Sequence, residues 1–171
     1  MARDLFVVGE IEYNLAHLEP FTINVTPNAP EAPTFKVLVL FSHHTFTREI
    51  KDGDDVAYHY IENNDPRCFC HNRYLSSQSL KAVVDSSSGG KAYFSQNRNF
   101  MLIDQPLGGP PYAVFFNIER ATKINGVSAN MFVASAYEKP GLPARSKLPS
   151  ISFATLVAKT VRSEPIRKPK K

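Results

Sequence analysis

The chain has 171 residues, of which 43% are hydrophobic, enough to bury a sizeable core, and this excludes a chain that is disordered throughout. No segment approaches the roughly 18 apolar residues of a membrane helix, and acidic residues interrupt the N-terminal segment where a secretory signal would have its apolar core. The formal net charge of +4 is unevenly spread, because residues 1–66 carry eleven acids against four Lys or Arg and residues 67–171 carry five against sixteen.

The basic C-terminal part predicts a surface for a polyanion. Lysine and arginine release condensed counterions when they neutralise phosphates, so such a surface binds nucleic acid without further specialisation. The alternative is that folding interleaves the two parts and leaves a neutral exterior. Cys68 and Cys70 are too close in sequence to form an unstrained disulfide. The cysteines therefore do not indicate an oxidising compartment, and we expect a cytoplasmic protein.

Strand patterns dominate the first half of the chain. Short runs rich in β-branched and aromatic residues predict strands over residues 5–14 and 21–27, and a proline-rich loop follows. The longest predicted strand covers residues 34–50 and ends at the turn sequence KDGDD.

The second half predicts a helix followed by a meander. Ser76 or Ser77 caps a helix that ends at Gly89–Gly90. Four strands then follow, with connections too short for crossover helices; they are predicted over residues 91–95, 99–104, 112–121 and 130–138. Residues 150–164 form either a closing helix capped by Ser150 or an edge strand.

These elements predict an α+β fold in which a C-terminal four-stranded antiparallel meander packs against one or two helices. We expect a single domain over residues 1–162. Residues 163–171 form a basic tail that is too polar and proline-rich to pack.

The segment FSHHTFTREI carries two adjacent histidines. On a strand, His43 shares a polar, solvated face with Glu49, whereas His44 lies on the side of Leu38 and Phe46. A histidine beside a carboxylate suits acid–base chemistry near neutral pH, and the more buried His44 is the better candidate. Adjacent strand histidines point in opposite directions, so no shared metal ion is expected.

The segment DPRCFCHNRYLSS combines arginines, hydroxyls and an aromatic ring. Arg67 and Arg73, beside Tyr74, are either a phosphate-binding set near a helix start or partners of the acidic N-terminal part. A zinc site of Cys68, Cys70 and His71 is disfavoured by the spacing, because zinc motifs usually separate their first two ligands by two to four residues.

The last two predicted strands bring further polar groups together. Together they form a set that can hold a scissile phosphate and transfer a proton; its members are Arg120, Glu119, Ser135, Tyr137 and Lys139. Ordinary cross-strand pairing explains the same residues equally well. The sequence has no phosphate-binding glycine loop, no G-x-S-x-G and no H-E-x-x-H motif.

In order, the segments VLFSHHTFTRE, DPRCFCHNRYLSSQSL, NFMLID, YAVFFNIERA and VASAYE resemble a bacterial family called stationary-phase growth adaptation proteins. A helical part followed by an antiparallel meander is also similar to the barnase, EndoU, colicin and RelE-type toxin ribonucleases. The second resemblance implies metal-independent RNA cleavage through the ribose 2′-hydroxyl. The long acidic N-terminal third departs from that group.

The sequence therefore predicts a small bacterial toxin-like ribonuclease or RNA-binding protein of a toxin–antitoxin or defence locus, with an antitoxin as a further partner and no cofactor or metal. The alternative is a non-catalytic subunit that docks a protein. The predicted catalytic residues are His43, His44, Arg73, Arg120 and Ser135. The predicted RNA-binding residues are Arg67, Tyr74, Lys91, Arg98, Lys123, Tyr137 and Lys139.

Overall fold

The computed structural model describes residues 5–96, 99–122 and 126–169, so the predicted RNA-binding residues Arg98 and Lys123 lie outside the described residues. The strands are β1 (Leu5–Val8), β2 (Ile11–Asn14), β3 (Phe21–Val25), β4 (Phe35–Phe41), β5 (Thr47–Arg48), β6 (His59–Glu62), β7 (Asp65–Phe69), β8 (Lys91–Phe94), β9 (Phe100–Asp104), β10 (Tyr112–Arg120), β11 (Ala129–Glu138) and β12 (Ser150–Ser152). The helices are α1 (His71–Ser77), α2 (Leu80–Ser86) and α3 (Phe153–Val161). In the described ranges no helix has the length and apolar character needed to cross a membrane.

The main sheet has seven strands in the order β12-β8-β9-β10-β11-β4-β3. The α+β class is confirmed, but the sheet is larger than the predicted four-stranded meander. Strands β8 to β11 pair as antiparallel neighbours, and β11 then pairs in parallel with β4 from the N-terminal third. Pairing between strands about ninety residues apart leaves no local sequence signature, which is why the meander alone was predicted.

The core lies between the main sheet and the helices. Val39 on β4, Met131 on β11 and Phe116 on β10 are fully buried, and Phe116 packs against Phe153 of α3 with the ring centroids 6.0 Å apart.

Residues 150–164 combine both predicted alternatives, since β12 pairs with β8 at the edge of the sheet and α3 follows. The cap is Ser152 rather than Ser150, and its hydroxyl accepts a hydrogen bond from the backbone N–H of Thr155.

Two other boundaries differ from the prediction. The predicted helix is in fact two short helices, and α1 begins at His71, well before the predicted caps. Ser77 is not a cap, because it is buried at the end of α1 and its hydroxyl donates to the carbonyl of Tyr74 at 2.7 Å. In the C-terminal segment Ile166 packs against the main core. The prediction that this segment does not pack is therefore wrong for Ile166, because its side chain is apolar and gains from burial, whereas its neighbours are charged.

The predicted strand over residues 34–50 ends early, at Phe41. Residues 43–45 form a 3₁₀ turn, in which the Ser42 hydroxyl accepts from the His44 N–H at 3.2 Å and the Thr45 hydroxyl donates to the Ser42 carbonyl at 2.8 Å. Such local hydroxyl–backbone bonds compete with strand pairing. They release the two histidines from the strand geometry that the sequence predicts.

A small sheet of order β5-β7-β6 faces this turn. Strands β6 and β7 form a hairpin around Asn63 and Asn64, whose φ angles are 53° and 61°. Two-residue hairpin turns of type I′ need positive φ at both central residues, and asparagine tolerates it. The turn therefore places Glu62 directly opposite Asp65, next to the histidines.

Candidate functional site

His43, His44 and Asp65 form one compact cluster. The Nε2 atoms of His43 and His44 lie 3.1 and 2.7 Å from the same oxygen, Oδ2 of Asp65, and the two imidazole rings are perpendicular, with centroids 4.7 Å apart. We call these three residues the His–Asp cluster.

His43 is the buried member of the cluster, with a side chain only 7% exposed. Burial lowers the pKa of His43, opposed by the nearby carboxylates of Glu62 and Asp65. The Nδ1 atom of His43 faces Oε1 of Glu62 at 3.6 Å, and the Tyr60 hydroxyl donates to Oε2 of Glu62 at 3.1 Å. Asp65 thus contacts one nitrogen of the ring, and the carboxylate of Glu62 lies near the other.

His44 and Asp65 form the accessible side of the cluster. Their side chains are 34% and 44% exposed. The hydrogen bond from His44, followed by smaller electrostatic contributions, holds the pKa of Asp65 below its ordinary value. Asp65 is therefore a carboxylate at neutral pH, and it selects the tautomer of His44 that carries its proton on Nε2.

The predicted division of the histidines between two faces is wrong. His43 is buried rather than solvated, and both rings reach the same carboxylate. Successive residues of a 3₁₀ turn are about 120° apart, rather than on opposite faces as in a strand. The two histidines can therefore reach one metal ion, which the predicted strand geometry excluded.

Two arginines border the His–Asp cluster. The Nε atom of Arg67 donates to the Thr47 hydroxyl at 3.0 Å, and the charge of Arg67 contributes to the low pKa of Asp65. The Nη1 atom of Arg73 donates to the carbonyls of His44 at 3.2 Å and Thr47 at 2.7 Å. Arg73 thus holds the backbone of the turn, which is a different role from the predicted contact with phosphate.

The guanidinium of Arg73 also lies over an aromatic ring of the main sheet. Its Cζ is 5.0 Å from the centroid of Tyr137, Tyr137 stacks on Phe115 at 5.4 Å, and the Nζ of Lys139 lies 5.4 Å from the Phe115 centroid. We call Arg73, Phe115, Tyr137 and Lys139 the stacking surface. It connects with the His–Asp cluster through the contact between Arg73 and His44.

A cleft of about 300 Å³ opens beside the stacking surface. Phe115, Tyr137 and Lys139 line it together with Ser135, which the sequence predicted, and Asn99. Aromatic faces, hydroxyls, an amide and a cation are the groups that bind a nucleobase and its phosphate.

Other predicted residues lie apart from this region. Arg120 is paired with Ala129 at the start of β11, eight residues from Tyr137, which is about 26 Å at the usual rise of a strand. Lys91 lines a second cleft of about 250 Å³ with Arg145. The Tyr74 hydroxyl donates to the carbonyl of Asn14 at 3.3 Å, so Tyr74 joins the N-terminal hairpin to α1.

The cysteines take no part in the His–Asp cluster. Cys68 is buried and Cys70 is half-buried, and both are free thiols. In the described ranges, the one group of three potential metal ligands within mutual reach is His43, His44 and Asp65.

Comparison with protein families gives one match. The model of the YjaZ family matches residues 5–161, a range that includes both the stacking surface and the His–Asp cluster. The chain belongs to the YjaZ family. No curated protein and no solved structure matches this YjaZ family member. Its resemblances to stationary-phase adaptation proteins and to toxin ribonucleases remain predictions.

Sequence reasoning missed Asp65, Glu62 and Phe115 as members of the site. A signal for the first two was present, because the sequence ENND at residues 62–65 is a favoured hairpin turn. A two-residue turn places its flanking carboxylates side by side. No local pattern identifies Phe115, since its contact with Tyr137 depends on the pairing of β10 with β11.

Proposed function

We propose that this YjaZ family member binds single-stranded RNA on the stacking surface and cleaves it at the His–Asp cluster. The observation that carries the proposal is the unbroken series of contacts from Lys139 through Phe115, Tyr137 and Arg73 to His44. The basic charge of the C-terminal part supports an anionic ligand. The function implied by the resemblance, a ribonuclease of a toxin–antitoxin or defence locus, belongs to the same proposal.

Single-stranded RNA fits this surface better than a duplex does. Exposed aromatic rings stack on unpaired bases, which a duplex keeps inside. Phe115 and Tyr137 are half-buried, so part of each side chain is accessible to solvent. Lys139 lies beside them and supplies a charge for the phosphate backbone.

The His–Asp cluster supplies groups for cleavage at the end of this surface. Asp65 holds Nε2 of His44, which leaves Nδ1 of His44 as the nitrogen that takes or gives a proton. Nδ1 of His44 takes the proton of a ribose 2′-hydroxyl, and the 2′-oxygen attacks the adjacent phosphorus to give a 2′,3′-cyclic phosphate. The bond from phosphorus to the 5′-oxygen breaks, and that oxygen leaves as a hydroxyl with a proton from the His44 imidazolium or from water. Arg67 lies near Asp65 and offers positive charge for the phosphate.

We expect Tyr137→Ala to weaken binding of a single-stranded RNA oligonucleotide by about 5- to 150-fold, because loss of one stacking ring costs about 1–3 kcal/mol. Phe132→Ala is the matched control, since Phe132 is a 44% exposed aromatic residue on the same strand but outside the cleft. Fluorescence anisotropy at several salt concentrations gives both affinities. Equal affinity of the two variants, or no binding by the wild-type protein, would contradict the proposal.

Exposed apolar side chains favour the alternative, a protein-docking subunit. The β1–β2 hairpin forms its own two-stranded sheet and exposes Leu5, Val7 and Ile11 by about half or more. Binding of a partner protein to this hairpin would depend little on salt, whereas the log of the affinity for single-stranded RNA falls by about 0.7 per log unit of salt for each phosphate neutralised. Salt-insensitive capture of one protein, with no RNA binding, would favour the alternative.

A further inference from the structure

We infer that the His–Asp cluster is a binding site for one divalent transition-metal ion of the zinc class, ligated by His43 Nε2, His44 Nε2 and a carboxylate oxygen of Asp65. This inference goes beyond the proposed function and does not depend on RNA binding. The sequence predicts no ion shared by the two histidines, because adjacent residues of a strand point in opposite directions, but the chain forms a 3₁₀ turn at this place.

The donor atoms are close enough for a single ion. All three lie within 4.8 Å of one another. Zinc bonds of about 2.0–2.2 Å place tetrahedral ligands roughly 3.4 Å apart. The observed Nε2–Oδ2 separations of 3.1 and 2.7 Å are hydrogen-bonded contacts, and small rotations of the side chains open them to that spacing.

His43 has the outer contacts that a metal-binding histidine usually has. Its Nε2 points to the cluster while its Nδ1 faces Glu62 at 3.6 Å, and Tyr60 in turn donates to Glu62. A carboxylate that accepts a hydrogen bond from the far nitrogen fixes the ring and increases its basicity towards the metal. Glu62 would form that bond if the separation closed by roughly half an ångström. His44 is held through its backbone, by Ser42 on its N–H and by Arg73 on its carbonyl.

The donor types select the class of ion. Two imidazoles and one carboxylate suit zinc, nickel, cobalt or iron(II), whereas magnesium and calcium prefer oxygen alone. The two carboxylates, Asp65 and Glu62, balance the charge of a divalent ion. The positive charge of Arg67, which interacts with Asp65, repels the ion. His44 and Asp65 are partly exposed, so an ion can enter and keep an open coordination position for water or substrate.

The test is isothermal titration of zinc into the full chain after treatment with chelator. We expect one ion per chain. Asp65→Asn and His44→Gln should each weaken zinc binding by about tenfold or more, and Glu62→Gln by about 10- to 100-fold, the usual effect of removing an outer-shell partner. His71→Gln is the matched control, because His71 is an exposed histidine outside the cluster, and it should bind as the wild type does.

The cysteines require their own control, because thiols also bind zinc. A Cys68→Ser, Cys70→Ser variant should retain full affinity, and cobalt(II) bound to the wild type should lack the thiolate absorption band. Circular dichroism of each variant checks folding. Absence of saturable binding by the wild type would overturn the inference, as would unchanged affinity in both Asp65→Asn and His44→Gln, or loss of binding in the cysteine variant.

Discussion

Replacing His44 with glutamine is expected to lower the rate of RNA cleavage by roughly 10²–10⁴-fold, the usual contribution of a general acid or base. Glutamine keeps a similar length and a hydrogen bond to Asp65, but it has no nitrogen that exchanges a proton at neutral pH. Single-turnover cleavage of a labelled RNA oligonucleotide measures the effect. His71→Gln should cleave at the wild-type rate.

The same assay distinguishes the two chemistries available to the His–Asp cluster. Cleavage that persists in chelator assigns the proton transfer to the free imidazole of His44. Cleavage that stops in chelator and returns with added zinc assigns it to a metal-bound water. Intact RNA in every lane, with and without zinc, would rule out the nuclease proposal and leave the zinc titration unaffected.

Replacing Arg73 with methionine is expected to lower the free energy of unfolding by about 2–3 kcal/mol. Methionine preserves much of the side-chain volume, but the carbonyls of His44 and Thr47 lose a charged donor. Both bonds come from the one Nη1 atom, so we count them together as one hydrogen bond to a charged group, worth about 1.5–3 kcal/mol. Thermal unfolding should show a fall in the midpoint of roughly 4–12 °C for a chain of this size.

The control for Arg73 is Arg162→Met. Arg162 is half-exposed and faces Glu164 at 3.9 Å, and a surface pair of this kind contributes at most about 1 kcal/mol. A midpoint for Arg73→Met equal to that of Arg162→Met would show that Arg73 does not hold the turn. In that case the contacts that connect Tyr137 to His44 would have no structural role.

The sequence predicted the element types well wherever the signal was local. Strands β8 to β11 were placed within one or two residues, because alternating apolar residues and turn residues at both ends define each strand. The β10–β11 region also supplied Ser135, Tyr137 and Lys139, which the fold brings to one cleft. These three residues share one short segment, so no long-range contact was needed to group them.

The sequence could not predict what depends on contacts between distant segments. The parallel pairing of β4 with β11 unites residues about ninety positions apart. The His–Asp cluster joins a 3₁₀ turn to a hairpin about twenty residues later. The sequence FSHHTFT did not predict the turn, because its β-branched and aromatic residues are typical of a strand. The turn depends on a single local feature, the Ser42 side chain that caps it, and this signal is weaker than the strand pattern around it.

Photo-crosslinking of a bound RNA oligonucleotide, followed by mass spectrometry of the crosslinked peptides, locates the RNA on the protein surface. If RNA binds on the stacking surface, we expect crosslinks on residues 112–120 and 129–139, with Phe115 or Tyr137 as the modified residue. We expect Tyr137→Ala to reduce them. Crosslinks confined to the C-terminal basic segment, residues 163–171, would contradict the proposed function, because they would show that RNA binds without the sheet or the His–Asp cluster.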